Sequence, residues 1–332
     1  GNALPPPSGS TEEIGFNLSL LKRKFNLKVD WYETSSENQP IAGFSTYINN
    51  YIARDNSFFL VKDQVVAANP FNQADIAQLA SYPDLSNRIK TAWNFQTVNS
   101  TTRNFVAPAG MTDISSLTSK GTEIELTANI TRNWRLMANL THQEVMRQNS
   151  APAFQEYLAE RQAQISQYFK FPPNVGGSEP IGTVFGRDVL APVASVTRQD
   201  GKPITNEIRP WRFNLITNYT FSNSSFARGF HVGGAVRWQD KIGIGYPVIT
   251  DPVYGLVPDV DHPYFGPSET AVDLWAGYEK KFSKFTWSLT LNVTNALGKD
   301  DLIPVATNPD GKYATYRIPE SRVWELETSI RF

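Results

Sequence analysis

One pattern limits this chain more than any other: large apolar residues alternate strictly with small polar or charged ones, in runs about ten residues long. The clearest run is Phe285-Thr286-Trp287-Ser288-Leu289-Thr290-Leu291-Asn292-Val293, where every odd position is apolar and every even one is a hydroxyl or an amide. A β-strand turns successive side chains to opposite faces, so this run has one greasy face and one wet face. Nine segments read this way, roughly 12–21, 25–34, 121–130, 134–145, 209–221, 230–240, 271–282, 285–294 and 322–332. The class is therefore all-β.

The joints between these segments alternate in length. Short ones fall at Leu21 to Lys24, Thr131 to Asn133, Ser222 to Gly229 and Ser283 to Lys284, and long ones at 35–120, 146–208, 241–270 and 295–321. Antiparallel strands with short turns at one end and long loops at the other follow the pattern of outer-membrane barrels, and a soluble sandwich has no reason to keep its loops so one-sided.

Charge sorts by face in the same way. Between the outermost apolar residues of each run, the greasy positions carry a single charge, Lys280, near a strand end where its long stem lets the ammonium reach water. The opposite face is rich in charge, with Glu13, Lys28, Asp30, Glu123, Glu125, Arg135, Arg212, Arg237, Asp273, Glu279, Glu325, Glu327 and Arg331. A charge facing lipid near the midplane costs on the order of 2–4 kcal/mol, whereas one facing a lumen stays hydrated or paired. The aromatics form two rows. Phe25, Trp134, Phe221, Phe230, Phe282, Phe285 and Phe332 sit beside the short turns or at the chain end, and Trp31, Trp211, Trp238 and Trp324 sit beside the long loops. Two rings of aromatics mark two headgroup levels.

Composition removes several other classes. Lys+Arg number 31 against Asp+Glu 32, which leaves no basic surplus to neutralise nucleic-acid phosphates. There is no Cys, so disulfide scaffolds, thiolate metal sites and cysteine nucleophiles are excluded. No apolar run reaches the roughly 18 residues of a transmembrane helix, and Gly1-Asn2-Ala3-Leu4-Pro5-Pro6-Pro7 does not read as a signal peptide.

Several stretches carry a family resemblance. Gly121-Thr-Glu-Ile-Glu-Leu-Thr-Ala-Asn-Ile-Thr-Arg-Asn-Trp-Arg-Leu-Met-Ala-Asn-Leu-Thr141 resembles a hairpin in the C-terminal half of TonB-dependent outer-membrane receptors. Leu291-Asn-Val-Thr-Asn-Ala-Leu-Gly298 and Pro319-Glu-Ser-Arg-Val-Trp324 resemble the approach to the last loop and the opening of the last strand. Pro6-Pro-Ser-Gly-Ser-Thr-Glu-Glu-Ile-Gly-Phe16 is similar to a loop entering another strand of the same family. The final strand ends on Phe332, as outer-membrane barrels do. The similarity covers the strands and leaves the long loops unfamiliar.

The resemblance implies a transmembrane antiparallel barrel of 22 strands with long extracellular loops, closed by an N-terminal plug that the TonB energy-coupling complex acts upon. It implies active uptake of a scarce nutrient (a siderophore, a vitamin-like chelate or a carbohydrate) across the bacterial outer membrane, without enzymatic chemistry or a cofactor. The sequence departs from that family by having nine strands and no plug, TonB-contacting segment or signal peptide, so residues 1–332 are expected to be the C-terminal portion of the barrel. The partners expected are outer-membrane lipid, the missing N-terminal barrel and plug, and TonB through the plug, with no nucleic acid. The lumen charges Arg135, Arg212, Arg237, Asp273, Glu325 and Glu327 are the expected plug contacts. Trp324, Leu326, Ile330 and Phe332 are the expected signal for the outer-membrane assembly machinery. The alternatives are a passive or adhesive barrel without TonB coupling and a secreted glycan-binding β-sandwich.

Other motifs are weaker. Of seven Asn-x-Ser/Thr triplets, those at Asn17, Asn129, Asn139, Asn218 and Asn292 fall on the wet face inside strands and read as lumen lining rather than glycan acceptors; Asn99 and Asn223 complete the set. Asp259-Val-Asp261-His262 offers three cation ligands in four residues but suits an exposed loop. His142 and His231 stand alone. Asp200-Gly201 and Asp310-Gly311 read as tight turns of small loop hairpins, and Arg187 and Arg198 as solvated loop charges. Phe154, Leu158, Ile165 and Phe169 recur at helical spacing behind Pro152, which predicts a short helix; Asn72 to Leu79 is a second candidate.

Overall fold

The computed structural model describes residues 4–46, 96–99, 104–106, 112–166, 180–206, 208–222, 226–252, 255–298 and 300–332. The alternating segments become nine wall strands, numbered in chain order: β1 (Ser8–Leu20), β2 (Phe25–Pro40), β3 (Ile114–Asn129), β4 (Trp134–Gln148), β5 (Trp211–Thr220), β6 (Phe230–Gln239), β7 (Glu269–Lys281), β8 (Thr286–Thr294) and β9 (Val323–Arg331). Each pairs antiparallel with its sequence neighbours, giving one nine-stranded meander. The sheet is a barrel wall that does not close: among the described residues, β1 and β9 each keep one unpaired edge. No described helix is long and apolar enough to cross a membrane.

Register decides whether the greasy faces of separate strands become one surface, because a slip of one residue would turn a strand inside out. Every seam is in phase. One row runs Leu18, Leu27, Leu126, Ala138, Leu215, Val236 and Val272, each directly opposite the next. Another runs Ala276, Leu291 and Leu326. This face is solvent-exposed in the chain, with Phe16, Leu18, Leu274, Leu326 and Ile330 among its accessible residues.

The aromatic rows are held by contacts between strands. Beside the short turns, Phe230 meets Tyr278 at a ring separation of 4.7 Å, Phe282 stacks on Phe285 at 4.7 Å, and Phe285 reaches Phe332 at 6.3 Å. At the loop end, Trp211 lies 4.3 Å from the His142 ring. Trp134 pairs with Tyr219 and His142 with Trp211, so eight residues separate the two levels on β4. Eight residues span about 27 Å along a strand, or roughly 21 Å of height at barrel tilt, close to a hydrocarbon layer. Lys280 places its ammonium 5.2 Å from the Phe282 ring centre, at the lower aromatic level.

The wall strands extend farther at the loop end than the alternation shows. β2 continues to Pro40 and β3 begins at Ile114, paired through Ser35↔Thr118 and Gln39↔Ser115, with an irregularity between Ser36 and Gln39. Above the apolar band both faces meet water, so Thr34-Ser35-Ser36-Glu37 has no greasy side to reveal it as strand.

The loops carry the buried core. Phe44, Ile114, Ala151, Phe154, Leu158, Val184, Phe185, Val189, Leu190, Val193, Ala194, Ile204, Ile244 and Val257 are buried, and only Val29 and Ala128 join them from within the wall's apolar band. The expected helix forms as α1 (Pro152–Ile165), with Phe154 and Leu158 inward and Phe154 edge-on to Phe44 at 5.3 Å. Phe169 and the candidate helix at Asn72 to Leu79 lie outside the described residues. A second helical run comprises α2 (Ile181–Phe185), a π-helical turn over Gly186–Leu190, and α3 (Ala191–Thr197). Its residues are mostly apolar with little periodicity and include Gly186 and Pro192, so no amphipathic stripe announces it. α3 packs on the strand Gly255–Pro258, whose Val257 is fully buried.

Candidate functional site

The site is built where the wall meets the loops on the wet side. β6 and β7 bring Arg237 and Asp273 together as an ion pair at 3.0 Å. At the start of β7, Glu269 receives two guanidinium groups, Arg209 on one oxygen and Arg317 on the other, the latter at 2.5 Å. Arg209 also donates to the carbonyl of Asp240, so it ties the entries of β5 and β7 to the exit of β6. Arg317 comes from the hairpin Ile303–Thr307/Tyr313–Arg317, which closes on Asp310-Gly311 as expected, with the Gly311 amide bonded to the Asn308 carbonyl at 2.9 Å.

Between this hairpin and the wall lies a cleft of about 440 Å³, whose polar lining includes Arg237, Gln239, Glu269, Asn295, Asp301 and Arg317. Glu269, Gln239 and Arg317 also line an adjoining space of about 200 Å³. Asn295, in a left-handed conformation, fixes the cleft floor. Its amide donates to the Asp273 carboxylate at 3.0 Å, and its side chain donates to the Glu320 carbonyl at 2.6 Å. Arg209 is nearly buried, whereas Arg237 and Arg317 are each half exposed. Such a cleft can hold a ligand by charge and hydrogen bonds: two accessible guanidinium groups for anionic oxygens, with carboxylates and amides for hydroxyls or amines.

The loops form a connected layer at the same end. Asp113, almost fully buried, accepts from its neighbour Ile114 and from the Phe154 amide, both at 2.8 Å, so a carboxylate 41 residues away caps the first turn of α1. Ala151, at the cap position itself, has no side chain to do this. Asp200 holds buried Ser150 through its hydroxyl at 2.6 Å and its amide at 2.9 Å. The Asp200-Gly201 turn is closed by the Lys202 amide donating to the Gln199 carbonyl at 3.0 Å, and the segment then bridges to Arg147 and Met146 of β4 rather than continuing as a two-stranded hairpin. Arg198, expected in solvent, is largely covered and pairs with Asp251 at 2.7 Å, joining α3 to the strand Val248–Asp251. Lys202 pairs with Asp261 at 2.6 Å. Tyr264 donates to the Pro309 carbonyl at 3.1 Å, linking these loops to the hairpin over the cleft.

Of the expected plug contacts, Arg237 and Asp273 come together at the cleft. Arg135 faces Asn129 and Asn218, Arg212 faces Thr141 and Gln239, Glu325 faces Asn292, and Glu327 faces Thr290. Among the described residues these four have no ion-pair partner, which leaves them available to the lumen. Trp324, Leu326 and Ile330 lie on the outward face of β9, with Phe332 just past its end. Glu269, Arg209, Arg317 and Asn295 were not singled out from the sequence. The only signal was position: Arg209 and Glu269 each stand just outside the apolar run of a strand. Asp259-Val-Asp261-His262 does not gather as a cation site. His262 donates to Asp259 at 2.8 Å and holds that carboxylate below its ordinary range, while Asp261 is taken by Lys202. No cluster of three metal-ligating side chains occurs among the described residues. Arg187 pairs with neighbouring Asp188 and remains exposed on one side.

No family model matches the chain, and no curated protein matches it. Among solved structures, it is similar to the ferripyoverdine receptor of the outer membrane of Pseudomonas aeruginosa bound to ferripyoverdine. The identity is 16%, 98% of this chain and 27% of that chain are covered, and the TM-score is 0.47. The ferric preacinetobactin receptor BauA from Acinetobacter baumannii follows at 12% identity, with 99% and 30% covered and a TM-score of 0.45. The outer membrane transporter YddB from Escherichia coli is at 12% identity, with 99% and 33% covered and a TM-score of 0.47. The chain thus spans about a third or less of the length of these proteins.

Proposed function

We propose that this chain forms part of the wall and extracellular mouth of an outer-membrane receptor that takes up a scarce polar nutrient. The carrying observation is the register: eight seams in phase put the apolar positions on one outward face between two aromatic levels. Such a face is covered by a bilayer, with the short turns in the periplasm and the loops outside. Exposed strand edges are not tolerated in hydrocarbon, so β1 and β9 are to be completed by further strands, in keeping with a larger barrel of 22. The resemblance of the strand motifs to TonB-dependent receptors supports active rather than passive passage. In that reading Arg135, Arg212, Glu325 and Glu327 hold a plug, and the Arg237–Glu269–Arg317 cleft takes the ligand outside. The last strand would engage the assembly machinery through its aromatic end.

The test is uptake. A Gram-negative host lacking its own chelate receptors and given the intact protein should accumulate labelled ferric chelates or oligosaccharides only while TonB and the proton-motive force are present. Accumulation without TonB would leave a passive barrel. Replacing both Arg237 and Arg317 by Ala should weaken ligand binding by about tenfold or more, as expected for two charge-assisted contacts.

A further inference from the structure

The near-neutral charge of the chain conceals an uneven distribution. The segments joining wall strands at the short-turn end carry Lys22, Arg23, Lys24, Arg132, Arg228 and Lys284, and no Asp or Glu. Lys281 and Arg331 stand at strand ends on the same rim. All eight are exposed, and among the described residues none has an ion-pair partner. The loops at the opposite end mix both signs, as the pairs Arg198–Asp251, Lys202–Asp261 and Arg209–Glu269 illustrate.

Directly above part of this rim, the outward face has a groove. It has a volume of about 660 Å³ and is lined by Trp134, Thr217, Tyr219, Val232, Gly234 and Leu274 together with neighbouring Leu and Val side chains. Gly234 and Thr217 are opposite each other in register, so two small residues in adjacent strands make the depression. The threonine hydroxyl is internally satisfied: Thr217 accepts from Trp134 Nε1 at 2.9 Å and donates to the Arg135 carbonyl at 3.3 Å. Apart from the Tyr219 phenol in its lowest row, the groove is thus lined by apolar groups. From the Trp134–Tyr219–Val232 row to the Leu215–Val236–Val272 row it rises four residues, about 14 Å along the strands. Arg132 is two residues before Trp134 and Arg228 four before Val232, so both stand at its lower end. The two segments are joined there, Asn133 donating to the Thr220 carbonyl at 2.7 Å. Phe226, fully exposed on the same turn as Arg228, adds an apolar group at headgroup level.

We propose that this groove and its basic rim hold an anionic phospholipid of the leaflet facing the short turns, with an acyl chain against Gly234 and the headgroup phosphate between Arg132 and Arg228. The proposal rests on the membrane reading given above. An apolar groove that opens onto a rim carrying Arg132 and Arg228 matches one acyl chain and one anionic headgroup. It offers nothing to a soluble acidic peptide, which would leave the groove empty.

The test uses the intact protein in detergent with equal amounts of phosphatidylglycerol and phosphatidylcholine, read by native mass spectrometry. Retained lipid should be mainly phosphatidylglycerol. Arg132→Gln with Arg228→Gln should lower that retention by about tenfold or more, as expected from two membrane-surface charges. Val232→Phe, which fills the groove, should lower retention of both lipids. Equal retention of the two lipids, or retention unchanged in the double variant, would overturn the proposal. So would displacement of the lipid by inorganic phosphate, or capture of an acidic peptide with no bound lipid. Failure of the protein to enter phosphatidylcholine vesicles would instead count against the membrane reading, which separates the two outcomes.

Discussion

At the scale of single residues, the greasy face contains its own exceptions, and the structure gives each a partner. Thr217 and Thr328 interrupt apolar rows. Each accepts from an indole on the adjacent strand, Trp134 Nε1 and Trp287 Nε1, both at 2.9 Å, and each donates to a carbonyl. Polar groups on a lipid face must be satisfied internally, and the repeated Trp–Thr pair does this twice. Thr328→Val should therefore cost about 1–3 kcal/mol of unfolding free energy, the penalty of an orphaned indole donor, measurable by urea titration of the reconstituted protein with Trp fluorescence. On the wet face, Trp275 packs against Gly233 and donates to Asn218 at 3.0 Å. A Cβ at Gly233 would sit 2.4 Å from that ring and 2.5 Å from the Thr217 carbonyl. Gly233→Ala should displace the indole, destabilise by about 1–3 kcal/mol and red-shift its emission. Neither role was legible beforehand. Alternation assigns a residue to a face, but not to a diagonal neighbour on the next strand.

At the scale of elements, the wall and the loops differ in what their sequences reveal. A strand in a bilayer must keep one face apolar, so the nine strands, their order and their short turns could all be read from hydrophobicity. Above the bilayer that constraint ends: the outer parts of β2 and β3 passed for loop, and the helical run through Gly186 and Pro192 showed no stripe. The loop layer depends on contacts remote in sequence, such as Asp113 with α1 and Arg198 with Asp251, which no local pattern encodes. The candidate cleft is of this kind. Arg237 and Asp273 were visible as wet-face charges, whereas Glu269, Arg209 and Arg317 acquire meaning only when three segments converge. Two predictions separate wall from loops. Leu291→Arg, on the outward face of β8, should cost about 2–4 kcal/mol and reduce assembled protein in the outer membrane. Asn292→Arg, one residue on and opposite Glu325, should leave assembly near wild type. Asp113→Ala should loosen the loop layer by about 1–3 kcal/mol, because the buried Phe154 amide loses its acceptor. Faster proteolytic cleavage around α1, with unchanged heat-dependent mobility of the barrel in gels, would check this.

At the scale of the whole molecule, the balanced charge and modest hydropathy are averages over unlike regions: a greasy outward face, a charged lumen face, a basic rim and a loop layer with its own core. The central claim is that the wall separates lipid from water with a period of one residue. Residues 1–332 contain no Cys, so a thiol introduced into this wall has no competitor within it. Single Cys variants from Glu123 to Ala128 on β3, spin-labelled in the intact protein and reconstituted in vesicles, can be read for collision with oxygen and with a water-soluble nickel chelate. The account predicts alternation, with Ile124, Leu126 and Ala128 open to oxygen and shielded from nickel, and Glu123, Glu125 and Thr127 the reverse. Equal access of the nickel chelate to both sets, with the protein folded and monomeric in detergent-free buffer, would contradict it.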